Sequence, residues 1–427
     1  MKKGATERQS SSIKEPLILI IGTLIICVGL IASFIVFKNY YSSLKKELPT
    51  IAIDLKDITL EDFRLGDKKA KYSGNTFKIS SDGQSREYED IEVRGRGNST
   101  WGLPKPPFQI KFNESIDLFG LGEAKKWVLL ANYYDHSNLR NDLAFKLADM
   151  LEEKYAMRGE FVKVTVDGDY IGVYYLTHKM EAKKGSVDLQ SKYGVLMEVD
   201  ELHRSTEDCI DTSNKICMTV KDTVADEDEE SEIRDRAIEA FMEDYNAYEA
   251  AVRAKDFEAV SEIVDIESLA QYFLINEFAV NPDAYNSSLY FYKDGLDDKI
   301  HAGPIWDYDY AFANPEWDYW NTNGYSISPY STTLFKLDQS AVVAKEVYQL
   351  LEMPEFMTEV KKVFAEKLSG RSEELISWLK QRAASIKEEA LADAARWGIG
   401  NTEEDTENLI DWVRRRFDYF EYTYGRK

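Results

Sequence analysis

Apolar and polar positions alternate along the first half of the chain and recur at three- and four-residue spacing along much of the second. Between residues 50 and 200, IAIDL, TFKIS, EDIEVRGRG, FQIKF, KWVLLANY, FVKVTVDGDYIGVYYLTH and YGVLMEVD have the β-branched, aromatic, alternating character of strands. One helix interrupts them over residues 137–152, with Leu139, Leu143, Phe145, Leu147 and Leu151 as its apolar set. From Glu232 onward VVAKEVYQLLEM, FMTEVKKVFAEKL, EELISWLKQRAASI and NLIDWVRRRFDYF read as amphipathic helices of a common core. The pattern predicts an α+β fold with a β-rich lobe over residues 50–220 and a mainly helical lobe over 221–427. The acidic run ADEDEESE marks the start of the second lobe.

Residues 281–312 break the helical pattern. Asp265 is a good N-cap for a helix whose apolar positions are Ile266, Leu269, Ala270, Phe273, Leu274 and Phe278, and Pro282 cannot continue it. A turn over 281–286 then leads into an aromatic strand over 288–293, the turn dipeptide Asp294-Gly295, and a return strand over 299–306. Asp307 and Asp309 follow at once. Acidic side chains therefore stand at both ends of a hairpin, Asp283 with Asn286 at one end and the D-x-D at the other. Taken singly, these residues read equally well as turn formers and solvated strand ends. Taken together, with Trp306, Tyr308, Tyr310 and Phe312 as apolar walls, they fit phosphoryl transfer. That chemistry needs one carboxylate to orient a hydroxyl, for which Asp283 is placed, and hard oxygen ligands for magnesium, for which Asp307, Asp309 and Asn286 are candidates. Helix, acidic loop, hairpin and metal-binding Asp is also the order found in protein kinases.

Further upstream, RGRGNSTW is a glycine-containing turn whose two arginines, Arg94 and Arg96, and backbone at Gly95 and Gly97 can face phosphate, although a plain tight turn fits the same letters. Lys111 ends the alternating PFQIKF strand and is a candidate phosphate-contacting lysine or a solvated one. Asp167-Gly168-Asp169 reads as a hairpin turn.

Composition narrows the classes. The chain has 427 residues, 44% hydrophobic and 13% aromatic, enough for one large or two medium cores. A net charge of −23 opposes unspecific nucleic-acid binding but leaves room for a nucleotide that arrives with its metal. Residues 17–37 carry no charge and are long enough, at ~1.5 Å per residue, to cross ~30 Å of hydrocarbon. We expect a short inner tail over 1–16, a retained transmembrane helix over 17–37, a stalk over 38–49 and an extracytoplasmic, monomeric domain. Cys27 falls in that span, and Cys209 and Cys217 form either a local disulfide or two free thiols. The four histidines are scattered and match no zinc pattern.

Six blocks, RGRGNSTW, KPPFQIKF, KKWVLLANYYDHSNLRNDLAFKLA, GDYIGVYYLTHKME, YGVLMEVD and GPIWDYDYAF, resemble in this order the spore coat protein CotH kinase family of atypical secreted kinases. The resemblance implies a kinase-like bilobal fold and ATP-dependent phosphorylation of Ser or Thr on exported proteins with Mg2+ or Mn2+. It implies Asp283 as catalytic Asp, Asp307 as metal-binding Asp, Lys111 at the phosphates and Glu198 near the nucleotide. The departures are the missing H-R-D and the spacing of Asn286, three residues after Asp283 where ordinary kinases have five. Asp135, Asp142 and Glu181 are the candidate partners of Lys111. So acidic a surface suits a basic, Ser/Thr-rich protein substrate. Two other classes compete: a surface or spore-coat scaffold without catalysis, and a carboxylate-pair hydrolase of wall polysaccharide.

Overall fold

A computed structural model describes residues 47–200, 209–225, 230–281, 284–285, 287–315 and 342–425. The predicted transmembrane helix over 17–37 lies outside the described residues, as do Asp283 and Asn286. Among the described residues no helix is long and apolar enough to cross a membrane.

The strand pattern of the first half closes into a barrel. Its strands are β1 (Thr50–Asp54), β2 (Tyr72–Ser81), β3 (Gln84–Gly95), β4 (Phe108–Asp117), β5 (Glu123–Leu130), β6 (Gly159–Val166) and β7 (Asp169–His178), in the order β1-β2-β3-β4-β5-β7-β6. Each neighbour pair is antiparallel except β1 with β6, whose parallel register from Thr50↔Lys163 to Ile53↔Val166 closes the ring. Closure leaves no open sheet edge. Alternate residues such as Ile53, Phe77, Val93, Ile110, Trp127 and Leu176 fill the interior. The Asp167-Gly168 turn joins β6 to β7 with both residues at positive φ, 52° and 85°, as a two-residue hairpin requires. Helix α1 (Leu60–Leu65), capped by Thr59, stacks Phe63 on Phe108 at 5.1 Å.

A second sheet of order β12-β11-β8-β10-β9 comprises β8 (Val195–Asp200), β9 (Ile210–Asp211), β10 (Cys217–Thr223), β11 (Ser287–Lys293) and β12 (His301–Ala302). Strand β8 pairs with both β10 and β11, so hydrogen bonding runs across residue 220, and Leu48–Lys427 form one compact unit. The fold is α+β, with a closed barrel, a second sheet and helices. The return strand expected over 299–306 is cut to two residues; Gly303 still donates to the Tyr290 carbonyl, and Pro304, which lacks an N–H, ends the pairing on that side. Cys209 and Cys217 are joined by a disulfide across a Cα separation of 5.3 Å.

The helices are α2 (Arg140–Met150), α3 (Ser231–Ala254), α4 (Phe257–Ile263), α5 (Ile266–Ala279), α6 (Val342–Leu351), α7 (Pro354–Lys367), α8 (Ser372–Trp397) and α9 (Thr402–Thr423). Asp265 caps α5 as predicted, accepting the Ser268 N–H at 2.8 Å. Helix α2 starts three residues later than its apolar spacing suggests. The Asp135 carboxylate accepts the Ser137 and Arg140 N–H groups and folds residues 135–140 into a turn. From Ser268 to Ala279 every side chain of α5 is buried, so this helix is the axis of the larger core.

A fully buried ion pair helps to pin barrel to helices. Lys105, fully buried, donates to Asp393 of α8 at 2.9 Å and to the Val173 carbonyl at 2.6 Å, while Asp393 accepts the Val173 N–H at 3.2 Å. Removing one partner strands a charge in a dry site. Lys105→Met is therefore expected to cost about 3–5 kcal/mol of unfolding free energy in urea titration. Lys105→Met combined with Asp393→Leu should recover most of that loss.

Candidate active site

A cleft of about 510 Å³ opens between the barrel and the second sheet. Five cations line its barrel side: Lys68, Lys69 and Lys71 from the loop between α1 and β2, Arg94 at the end of β3, and Arg96 just beyond it. None of the five forms an ion pair with a carboxylate among the described residues. Lys68 donates to Asn98 Oδ1 at 2.9 Å and Arg94 to Gln109 Oε1 at 2.8 Å, both neutral acceptors. Burial first, and then the charges of Lys69, Arg96 and Arg94, hold Lys68 below its ordinary pKa. Such crowding of like charge in a chain of net charge −23 marks a place that favours an anion.

The RGRGNSTW motif builds this wall. A Cβ at Gly95 would sit 2.3 Å from the Trp101 ring, so only glycine lets the indole cross the backbone there. Gly97 stands at φ 80°, where a Cβ would meet Thr100 Oγ1 at 2.1 Å. The two glycines turn the chain so that Arg96 reaches over the Trp306 ring, 5.7 Å from its centre.

Across the cleft lie Glu198 of β8, Lys221 of β10, Ser288 and Tyr290 of β11, and Asp307. Glu198 accepts from Lys221 at 2.8 Å and from the Tyr290 hydroxyl at 2.9 Å. Lys179, at the end of β7, also lines the cleft and shares Glu181 with Lys126. Asp307 is half-buried, receives the Ser288 hydroxyl at 3.2 Å, and holds φ 70°, a left-handed conformation that is strained for a residue with a Cβ. Burial lowers the Arg96 pKa, and the nearby Asp307 is the largest influence opposing it.

Of the residues singled out in the sequence, Arg94, Gly95, Gly97, Glu198 and Asp307 come together in this cleft. Asp309 is buried behind it and does not line it. Lys111 lies elsewhere: its side chain is exposed on the barrel, in register with Glu92 and Lys126, and outside the cleft lining. The partners considered for it are engaged elsewhere, Asp135 by Arg140, Asp142 by Arg382, and Glu181 by Lys126 and Lys179. Arg96, the second arginine of the RGRG turn, lines it too, whereas Lys179, Lys221 and the Lys68–Lys71 group were not chosen from sequence. The cluster KKAK, two residues past a turn glycine, was the signal available for the last of these.

Asp307 sits on an arm running from the cis Gly303-Pro304 bond to Ala313. Arg140 of α2 is buried beside it, donating from Nε to the Ala311 carbonyl at 2.9 Å and from the guanidinium ends to Asp135 and Asp405. Burial opposes its charge, but the two carboxylates outweigh burial and set its pKa above the ordinary value. Glu153, just past α2, is buried as well and accepts the Ile305 N–H at 3.2 Å. Burial pushes its carboxyl up to about 8, the Ile305 N–H only partly opposing the rise.

A cleft lined by five cations thus faces Asp307, on an α+β fold that carries a closed barrel. The chain belongs to the CotH kinase protein family, whose model matches residues 93–420, from the end of β3 to α9. No curated protein matches the chain.

Glu153 also sets a pH dependence. Its pKa is raised from 4.5 to about 8 on folding, so the stabilisation it gives is complete below pH 4.5 and is lost as pH rises through about 8. The melting temperature should carry a falling component between pH 5 and 8.5. Glu153→Gln, a neutral mimic of the protonated acid, should remove that component in thermal scans across this range.

Proposed function

We propose that the protein is a membrane-anchored, extracytoplasmic kinase that transfers the γ-phosphoryl group of ATP to Ser or Thr of exported proteins. The observation that carries this reading is the set of five cations, without carboxylate partners among the described residues, facing Asp307 across one cleft. A triphosphate supplies the charge those cations lack, and Arg94 and Arg96 offer planar forks suited to phosphate oxygens. In this reading the barrel serves as the nucleotide-holding lobe and the helices as the second lobe of a kinase-like fold.

Among the described residues there is no cluster of three metal-ligating side chains. Magnesium asks for less, since it binds through one or two carboxylates, phosphate oxygens and water. Asp307, half-buried and receiving only the Ser288 hydroxyl among the described residues, fits that demand. Asp307 would hold the ion, with Asp309 and Asn286 as further candidates, and the ion would offset charge on the β- and γ-phosphates. Asp283 would orient the acceptor hydroxyl and take its proton as the oxygen–phosphorus bond forms and the bond to ADP breaks. Manganese would serve in the same place. The strongly acidic surface supports a basic, Ser/Thr-rich protein as acceptor. The uncharged run over 17–37 supports the single-pass anchor.

Magnesium and ATP together should raise the unfolding free energy, by about 2.7 kcal/mol when ligand is at 100 times its dissociation constant. Asp307→Ala should abolish the metal-dependent part. Arg94→Ala with Arg96→Ala should weaken ATP binding at least ~10-fold, the scale of losing charge-assisted hydrogen bonds, while Lys111→Ala leaves it unchanged. With γ-labelled ATP and a basic Ser-rich acceptor, Asp283→Ala should bind nucleotide yet transfer nothing. Transfer by Asp283→Ala at the parent rate would sink that assignment, and a folded parent that neither binds ATP nor transfers label would point to a surface scaffold.

A further inference from the structure

Helix α2 and the turn that ends it hold the Asp307 arm at three points. Arg140 donates to Ala311 O at 2.9 Å, Asn141 Oδ1 accepts the Tyr308 N–H at 2.8 Å, and the Glu153 carboxyl accepts the Ile305 N–H at 3.2 Å. The contacts fall every third residue and leave Asp307 between the second and third. Glu153 is itself fixed. Glu152 takes φ 61°, and the N–H groups of Glu152 and Glu153 bond the Asp149 and Ala148 carbonyls, the double bond of a Schellman motif. On the arm, a Cβ at Gly303 would lie 2.5 Å from Glu153 Oε1, so the approach of carboxyl to chain needs glycine there.

Glu153 pairs with no cation among the described residues, and a buried carboxyl without one is costly. An apolar side chain would fill the same space at lower cost, but it could not hold an N–H. We propose that Glu153 is a positioning residue for Asp307: its carboxyl fixes the Ile305 amide and thereby the entry of Trp306 and Asp307 into the cleft. Trp306 transmits the constraint, packed against Phe145 of α2 on one side and under Arg96 on the other. The role assigned to Asp307 rests on the kinase reading above; the fixing of the arm does not.

The test uses the full chain with Glu153→Met, which fills the space without an acceptor, and Glu153→Gln, which keeps an oxygen acceptor. Glu153→Asp, with its acceptor drawn back by one methylene, serves if the Met form does not fold. Amide hydrogen exchange over residues 303–311 reads the arm, and calorimetric titration with ATP, with and without magnesium, reads the site. Glu153→Met should speed exchange at Ile305 and Tyr308 and weaken magnesium-dependent ATP binding by about tenfold or more, the scale of a small misplacement. Metal-free ATP binding should be unchanged, the Gln form should match the parent in both readouts, and the Asp form should lie between. Unchanged exchange in the Met and Asp forms would overturn the proposal. So would faster exchange with magnesium-dependent binding intact, or equal loss of binding with and without metal. If the parent itself shows no metal-dependent ATP binding while the Met form still loosens the arm, the kinase reading fails and the fixing of the arm stands.

Discussion

The guanidinium of Arg140 is the point on which the site side of the molecule depends. It is fully buried, and it satisfies at once the carboxylates of Asp135 and Asp405 and the carbonyl of Ala311. Those three groups belong to the turn before α2, to α9, and to the arm that carries Asp307. Were the charge removed, two buried carboxylates would keep only neutral donors such as the Ser137 N–H and lose their counter-charge, a penalty of several kcal/mol. The cluster therefore fixes helix to helix and arm to helix with one side chain. A planar donor with five N–H groups can do this, and a lysine in its place could not.

Much of the fold was legible because local chemistry and burial agreed. Strand alternation gave the barrel strands, Asp265 gave the start of α5, and Asp167-Gly168 gave its hairpin. Where expectation failed, a group close by in the chain overrode the apolar spacing. Asp135 took the first turn of α2, and Gly303-Pro304 stopped β12 short. The ring closure of β1 against β6 joins residues more than a hundred positions apart, and no local pattern encodes it.

The site was legible in part for the same reason. Motifs that are contiguous in sequence, RGRGNSTW and the W-D-x-D, brought Arg94, Gly95, Gly97 and Asp307 to the cleft. Glu198 came with a strand. Lys111 lies outside the cleft because alternation tells which face of a strand a side chain takes, not how far along the strand the cleft extends. Gln109, two residues earlier on the same face, is the one that lines it. Glu153 was invisible for a different reason: nothing in LLEEKY-like local sequence, here DMLEEKYAM, separates a surface glutamate from one sealed beneath a glycine 150 residues away.

The distance along the chain between Arg140 and Asp405, 265 positions, has a consequence for how the protein is made. The barrel can close once β7 has been synthesised, but the last partner of Arg140 is delivered only near the C-terminus. Until then the arm has a helix to lean on whose own key charge is half-answered. A nascent chain thus holds barrel strands whose buried Lys105 still awaits Asp393, beside an arm that still awaits Asp405, and order reaches the cleft only after both helices have emerged.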